Sequence, residues 1–231
     1  PLVDILPAAR AVGALVVLDT CQSAAHLPLD FAALHAAGVD AMVLSSHKML
    51  GPTGIGALVA AEELLEAMPP VLTGGSMIEV VRMESSTYMS GPARFEAGSQ
   101  PLAQAAGWRT AVDYLSGLGM DRLHAGELDL MQRVLDGLAA LDGVRVLGPA
   151  DTRERLGVVA FTVDGVHPHD VGQVLDASGV AVRTGHHCAQ PIHAHFSVSS
   201  SARVSFGVTT TAGEVDRFLE AAAGVRAYFQ R

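Results

Sequence analysis

Basic charge and long apolar runs are scarce in this sequence of 231 residues. The formal net charge is -9, and this acidic balance argues against a basic face that binds nucleic acid. No stretch reaches the roughly 18 consecutive apolar residues that a membrane-spanning helix needs. The longest apolar stretch, 11–18, has the length of a strand and is interrupted by Gly13. The sequence therefore predicts neither a nucleic-acid partner nor a membrane span.

Cysteine is scarce as well, because only Cys21 and Cys188 occur. Two thiols so far apart in a chain of this length do not form the pattern of a disulfide framework. They fit a reducing compartment better, so a cytoplasmic location is expected. The remaining composition, with 49% hydrophobic and 17% charged residues, is ordinary for a globular protein of one large or two small domains.

Short apolar runs alternate with helical patterns in the first part of the chain. Such an alternation predicts an α/β layer with a mostly parallel sheet. Residues 71–100 are rich in Gly, Ser and Met, and they predict a long functional loop. Strands are predicted at 15–18, 41–44 and 56–60, and helices at 3–12, 31–37, 61–67 and 102–117.

The second part predicts a smaller α+β unit that follows a helix at 121–140. Asp170 and Thr211 lie near plausible N-termini of its last two helices. Strands are predicted near 143–147, 157–163, 180–184 and 202–206, and helices near 168–178 and 212–228.

Asp19 and Lys48 each follow the C-terminal end of a predicted buried strand. In open α/β sheets ligands bind outside these strand ends. A carboxylate and an amine there can form a structural ion pair, and spacing alone favours that interpretation. They can also hold pyridoxal phosphate (PLP), which needs a lysine for its Schiff base and an acid that keeps its pyridine nitrogen protonated.

The residues around Lys48 favour the cofactor. Ser45, Ser46 and His47 offer hydroxyl and imidazole donors of the kind that bind a phosphate group. The following glycine-rich segment, 51–56, allows a close approach of the backbone. A glycine-rich turn alone is weak evidence, but beside these donors at a strand end it indicates a phosphate site.

A second group of reactive side chains lies in the segment 183–189, which reads RTGHHCA. Cys188 follows a predicted strand and precedes Pro191, so it is expected on a loop. His186 and His187 could favour the thiolate, which is the nucleophilic form. One alternative is a small buried cysteine. Another is a metal site, although no paired C-x-x-C or H-E-x-x-H element is present. The side chains available to a metal are Cys188, His186, His187, His193 and His195.

Arg203 lies near the start of an apolar strand. An unpaired charge there is costly, and the arginine fork suits a carboxylate. A bound substrate carboxylate is therefore one interpretation. An exposed arginine on an edge strand is the other, and for this residue taken alone it is the simpler one.

Five segments together resemble the SufS-type (group II) cysteine desulfurases, which belong to the class V aminotransferase fold type. The resemblance covers essentially the whole chain, and the lysine loop (44–56) and the cysteine loop (183–191) are its most specific parts. It implies a PLP-dependent transferase of fold type I, with the C-terminal part of the large PLP-binding domain at 1–117 and a small C-terminal domain at 118–231. The other three segments are 17–22, 74–78 and 94–99.

The resemblance also implies a role for each candidate residue. Lys48 carries the cofactor, and Cys188 takes the sulfur of L-cysteine as a persulfide while L-alanine is formed. Arg203 binds the substrate carboxylate. The implied cofactor ligands are Asp19 at the ring nitrogen, Gln22 at the ring oxygen, Ser45 and His47 at the phosphate, and Ser99 at the phosphate of the other subunit of a homodimer.

A sulfur-accepting partner follows from the same resemblance. Segment 166–170 (VHPHD) is similar to the form found in desulfurases that pass sulfur to a zinc-containing, SufU-type scaffold for iron–sulfur assembly. His169 is then expected to dock that scaffold by taking over a zinc ligand position, and a SufE-type acceptor is the alternative partner. A helix-capping loop explains this segment equally well.

The chain departs from the family pattern at several positions. Thr20 and Cys21 stand where the family has Gly-Ala, Ser99 replaces a threonine, and 208–210 replaces a Tyr-Asn-Thr motif. The family's N-terminal half, which is expected to supply the histidine stacked on the cofactor, has no counterpart, so this chain alone is expected to form an incomplete site. The alternatives to a desulfurase are a selenocysteine lyase, another cysteine C–S lyase, and an inactive truncated piece.

Overall fold

The computed structural model of the protein describes residues 2–153 and 155–229. The chain divides into two compact units between Met120 and Asp121. The sequence predicted a domain boundary after residue 117, and the assignment of the first unit to a cofactor domain stays a prediction. Among the described residues, none of the helices has the length and apolar character that would let it cross a membrane.

The first unit alternates helices and strands up to residue 67 and then continues through a hairpin into a long helix. Helix α2 illustrates the local signals. The Asp30 carboxylate accepts hydrogen bonds from the backbone N–H groups of Ala32 and Ala33, and the helix ends at Gly38 in the left-handed region. The elements are α1 (Leu2–Ala11), β1 (Val17–Asp19), α2 (Phe31–Ala37), β2 (Ala41–Ser45), β3 (Gly56–Ala60), α3 (Glu62–Ala67), β4 (Ile78–Val81), β5 (Ser86–Tyr88) and α4 (Leu102–Leu118).

The sheet of the first unit has the order β1-β2-β3 and is mixed. Strands β1 and β2 are parallel, as expected, but β3 runs antiparallel to β2. The connection 46–55 explains the difference, because it is shorter than the dozen or more residues that a parallel crossover requires. The parallel pair places the ends of β1 and β2, and so Asp19 and Lys48, at the same edge of the sheet.

Residues 71–100 are more regular than the predicted loop. Strands β4 and β5 form an antiparallel hairpin with an irregularity between Ile78 and Val80. A 3₁₀ turn follows at Gly91–Phe95. The Gly- and Ser-rich composition concealed this hairpin, because most of its side chains stay exposed and show no apolar alternation.

The second unit is a four-stranded antiparallel sheet with the order β6-β7-β9-β8. Its core contains Phe161, whose ring packs edge-on against that of Phe218. Thr211 caps the last helix, as expected, because its hydroxyl and the Glu214 backbone N–H are 3.3 Å apart. The elements are α5 (Met120–Ala139), β6 (Val144–Leu147), β7 (Val158–Val163), α6 (Pro168–Ala177), β8 (Arg183–Gly185), α7 (Gln190–His195), β9 (Ser201–Ser205) and α8 (Ala212–Phe229).

Strand β9 separates the core of the second unit from its candidate site. Ala202 and Val204 face the buried core, as does Phe206 just beyond the strand. Because side chains alternate along a strand, Ser201 and Arg203 lie on the opposite face. Helix α7 was not predicted from the sequence.

Candidate active site

Asp19 is held as an anion at the end of β1. The backbone N–H of Cys21 donates to its Oδ1 atom at 3.0 Å. Hydrogen bonds from Cys21 lower the pKa of Asp19, and the positive charge of Lys48 lowers it further. An ionised carboxylate at this edge fits the ring nitrogen of PLP, which must stay protonated.

The two residues after Asp19 anchor it to β2. The Thr20 hydroxyl donates to the carbonyl of Val43 at 2.6 Å, and the Thr20 N–H donates to the same carbonyl at 3.1 Å. The Cys21 thiol is half-buried, and burial raises its pKa, with a further increase from Asp19. At neutral pH Cys21 is therefore a protonated thiol. Both departures from the family pattern stabilise the end of β1, because Thr20 bonds to β2 and the Cys21 N–H donates to Asp19.

The lysine loop is closed by its backbone. The carbonyl of Ser46 accepts hydrogen bonds from the N–H groups of Met49 at 2.8 Å and Gly51 at 3.0 Å. Ser46 is fully buried, whereas Lys48 is exposed. A Cβ atom at position 51 would collide with the Ser46 hydroxyl. Lys48 is also the single lysine of the chain, a signal that the motif analysis did not use.

Hydroxyl and imidazole donors gather at the end of β2, where the sequence predicted a phosphate site. Ser45 Oγ lies 3.0 Å from His47 Nδ1. The Ser46 hydroxyl is buried and has no hydrogen-bond partner among the described residues. These side chains fit the phosphate of PLP, since an anion accepts from such donors. Gln22 and Ser99, the other predicted cofactor ligands, are both exposed.

Arg94, in one of the five segments that carry the resemblance, is structural in this molecule. Its guanidinium donates to the backbone carbonyls of Met89 at 3.0 Å and Glu66 at 2.8 Å. It also forms an ion pair with the Glu66 carboxylate at 3.1 Å. Arg94 therefore ties the turn Gly91–Phe95 to the end of α3.

The cysteine loop has an unusual backbone. His187 and Cys188 are consecutive residues with positive φ, 52° and 61°, although neither is glycine. The N–H of Ala189 donates to the carbonyl of His186 at 2.8 Å and closes the turn. Cys188 is exposed, which excludes the alternative of a buried structural cysteine.

The buried side chain of Ser201 stabilises the cysteine loop through contacts with two histidines. The Ser201 hydroxyl lies 3.0 Å from His187 Nε2 and 2.9 Å from His193 Nε2. The other nitrogen of His193, Nδ1, lies 3.0 Å from the carbonyl of Ala189. These hydrogen bonds connect the cysteine loop and α7 to the buried Ser201, and they fix the position of the segment that carries the thiol.

His187 does not supply the positive charge that the sequence suggested. Burial lowers its pKa to about 4, and the charge of Arg203 contributes in the same direction. The ring is therefore neutral at pH 7. The cation that contacts Cys188 is Arg183, whose Nη2 lies 3.7 Å from Sγ, and this role was not identified from the sequence.

Arg203 is directly opposite Arg183 in the β8–β9 ladder. Its Nε atom is buried and lacks a hydrogen-bond partner among the described residues. Burial lowers the pKa of Arg203, and the neighbouring charge of Arg183 lowers it further. A guanidinium in this state fits a carboxylate ligand, and that role stays a prediction. The alternative of an arginine on an edge strand is wrong, because β9 lies between β7 and β8.

His169 lies in the first turn of α6. The helix cap is His167, whose Nδ1 accepts from the N–H of His169 at 3.3 Å. Asp170, predicted near the helix start, lies in the same first turn. The His169 side chain is exposed and stacks on the His167 ring at 5.9 Å, so capping does not occupy its imidazole.

Metal-ligating side chains are dispersed. Within 2–153 and 155–229, no three His, Cys, Asp or Glu side chains are grouped so as to hold a metal ion. Near Cys188, His187 and His193 instead lie within hydrogen-bond distance of Ser201, and His193 also contacts the carbonyl of Ala189.

Three comparisons identify what the chain resembles. The profile of the aminotransferase class-V family matches residues 1–218. The chain is 50% identical over 231 residues to the probable cysteine desulfurase 2 of Mycobacterium leprae, covering 100% of this chain and 54% of that protein. The apo structure of a cysteine desulfurase from Thermococcus onnurineus superposes with a TM-score of 0.91 at 35% identity, covering 97% of this chain and 56% of that chain.

A third similar protein bears on the cofactor. A variant of C-DES, with a TM-score of 0.80 and 26% identity, covers 96% of this chain and 56% of its own, and has glycine covalently linked to its PLP cofactor. Together with the family match, it confirms the predicted cofactor and the PLP-dependent fold class. The chain spans about half the length of the curated relatives that it matches.

Proposed function

Because the chain belongs to the class V aminotransferase family, we propose that it is part of a PLP-dependent L-cysteine desulfurase. One observation carries this proposal: an exposed thiol, Cys188, lies on the same face of a sheet as Arg203, whose buried Nε lacks a hydrogen-bond partner in the described part of the chain. A carboxylate bound at Arg203 places an amino-acid substrate beside a nucleophile. The complete reaction belongs to a longer protein or an assembly that includes the remaining half of the relatives.

The first unit supplies the cofactor ligands. Lys48 provides the amine for attachment, and the Asp19 carboxylate retains the proton of the ring nitrogen. Ser45 and His47 donate to the phosphate. Gln22 binds the ring oxygen, and Ser99 contacts the phosphate of the other subunit of a homodimer. When bound, PLP withdraws electrons from the α-carbon of the substrate.

The second unit supplies the sulfur acceptor. Arg203 binds and orients the L-cysteine carboxylate, and the Cys188 thiolate attacks the substrate sulfur. A sulfur–sulfur bond forms as the carbon–sulfur bond breaks, and the carbon retains that electron pair. Protonation of the carbon then yields L-alanine, and the persulfide stays on Cys188.

The persulfide is passed to an acceptor for iron–sulfur assembly, in the cytoplasm. The exposed imidazole of His169 supports docking of a zinc-containing, SufU-type acceptor, because neutral imidazole is a common zinc ligand. A SufE-type acceptor is the alternative partner. Loss of acceptor-stimulated turnover in His169→Ala, with unchanged basal turnover, supports docking, and exposed His195→Ala serves as the control. Equal stimulation of the two variants contradicts it.

The desulfurase proposal is tested with Cys188→Ser in the complete protein that contains this chain. We expect L-cysteine to yield stoichiometric L-alanine with the parent protein and almost none with the variant, and mass spectrometry to find one additional sulfur on Cys188. A lyase that releases free sulfide does not need this thiol. Unchanged alanine formation in Cys188→Ser therefore favours a selenocysteine or cysteine C–S lyase, and absence of PLP from the parent protein favours an inactive piece.

A further inference from the structure

The protonation of the two histidines beneath Cys188 follows from their partners. His193 Nδ1 and His187 Nε2 both face backbone carbonyls, of Ala189 at 3.0 Å and Ser201 at 3.1 Å. Carbonyls only accept hydrogen bonds, so each of these nitrogens carries a proton. In neutral rings His193 Nε2 then accepts from the Ser201 hydroxyl, which in turn accepts from His187 Nε2.

In this arrangement His187 carries no positive charge. His187 Nδ1 is buried and without a partner among the described residues, so a second proton there would be a buried charge without compensation. His186 packs edge-on against His193, with ring centroids 5.9 Å apart. These rings support the loop by packing and by hydrogen bonds, and His187 does not supply the positive charge at the thiol.

Two guanidiniums supply that charge. Arg183 Nη2 contacts Cys188 Sγ at 3.7 Å, and Arg203 lies directly across from Arg183. Neither arginine forms an ion pair with a carboxylate among the described residues. Like charges directly opposite one another on a sheet are destabilising, and an anion between them relieves that repulsion.

We propose that Arg183 is a catalytic residue that holds Cys188 as the thiolate. The positive φ of Cys188 turns the thiol back to the strand that precedes it, so that the guanidinium of β8 reaches Sγ. Arg203 is left to bind the substrate carboxylate. The division of labour between the two arginines rests on the proposed function, whereas the contact between Arg183 and Cys188 does not.

The test is the alkylation of Cys188 in the full chain, followed by mass spectrometry of its peptide so that Cys21 is distinguished. Neutral iodoacetamide reports the amount of thiolate, and anionic iodoacetate also reports the local positive charge. In Arg183→Gln we expect alkylation by iodoacetamide at pH 7 to slow by about tenfold. We also expect the iodoacetate-to-iodoacetamide rate ratio to fall, which a purely structural role would leave unchanged.

Two variants serve as controls. Arg183→Lys retains the charge and is expected to restore most of the rate. Arg217→Gln removes an exposed arginine from α8, the helix that packs on the core-facing side of the same sheet, and is expected to leave both rates unchanged. An unchanged rate ratio in Arg183→Gln overturns the proposal. Because alkylation needs neither cofactor nor substrate, it gives its answer even if the desulfurase assay fails.

Discussion

The lysine loop and the cysteine loop each follow a short strand, but they are stabilised in different ways. Backbone groups close the lysine loop, because the Ser46 carbonyl accepts two hydrogen bonds from within it. Side chains from a later strand and helix support the cysteine loop, through Ser201 and His193. The first loop is a local structure, and the second depends on residues that only the fold brings together.

The two loops also differ in their electrostatics. At the lysine loop charges of opposite sign lie at one edge of the sheet, and the positive charge of Lys48 lowers the pKa of the Asp19 carboxylate. At the cysteine loop Arg183 and Arg203 face each other without an anion among the described residues. This second site is built to receive negative charge, from the thiolate and from a carboxylate.

The largest effect is expected at the lysine loop. Lys48→Ala removes the single lysine of the chain, so covalent attachment of PLP to a side-chain amine should be lost completely. Incubation with PLP, borohydride reduction and peptide mass spectrometry measures this attachment. Arg109→Ala, an exposed substitution on α4, is the control, and a parent chain that gives no reduced adduct at Lys48 would contradict the assignment.

The next effect is expected below the cysteine loop. Ser201→Ala leaves the buried Nε2 of His193 without this hydroxyl partner, whereas His187 Nε2 keeps the Ser201 carbonyl. The loss costs about 1–3 kcal/mol of the free energy of unfolding. Urea unfolding followed by circular dichroism measures the loss. Ser205→Ala, an exposed change on the same face of β9, is the matched control, and equal midpoints for the two variants would show that side chains do not stabilise this loop.

A smaller effect is expected on acidification. The pKa of His187 is about 4 in the folded chain and 6.5 without the contacts of the fold. Between these two pH values the unfolded chain therefore binds more protons than the folded chain. The contribution of His187 to the free energy of unfolding is therefore fully present above pH 6.5, and it is lost as the pH decreases towards 4. Unfolding midpoints at pH 7 and pH 5 measure the change, which His187→Gln should reduce; parallel behaviour of variant and parent would argue against a neutral His187.

The smallest effect is expected at an exposed ion pair between two helices of the second unit. Arg133 of α5 bonds to Asp216 of α8 through two contacts, 2.6 and 2.7 Å long, and both side chains are half-exposed. Such a pair contributes little to the free energy of unfolding, because solvent and salt screen exposed charges. A double-mutant cycle of Arg133→Ala and Asp216→Ala by urea unfolding measures the coupling energy of the pair. A coupling energy larger than the loss of stability in Ser201→Ala would reverse the proposed ranking.

Much of the secondary structure could be predicted because its signals are local. Helix α2 was predicted at its observed bounds, since Asp30 and Gly38 mark its ends. Three features were not: the antiparallel β3, the hairpin of β4 and β5, and helix α7. Strand direction depends on the length of a connection. Helix α7 begins with Gln190-Pro191, and Pro191 was taken from the sequence as the sign of a loop.

The sequence by itself determined the positions of Lys48 and Cys188, because strand ends, glycines and short motifs are local properties of the chain. It also indicated Arg203 as a carboxylate ligand. Only the tertiary structure decided which groups set the charge at the thiol. His187 is next to Cys188 in the chain but is buried and neutral, whereas Arg183 reaches the sulfur because the backbone turns back at Cys188. Proximity and burial, which govern charge in proteins, are properties of the fold.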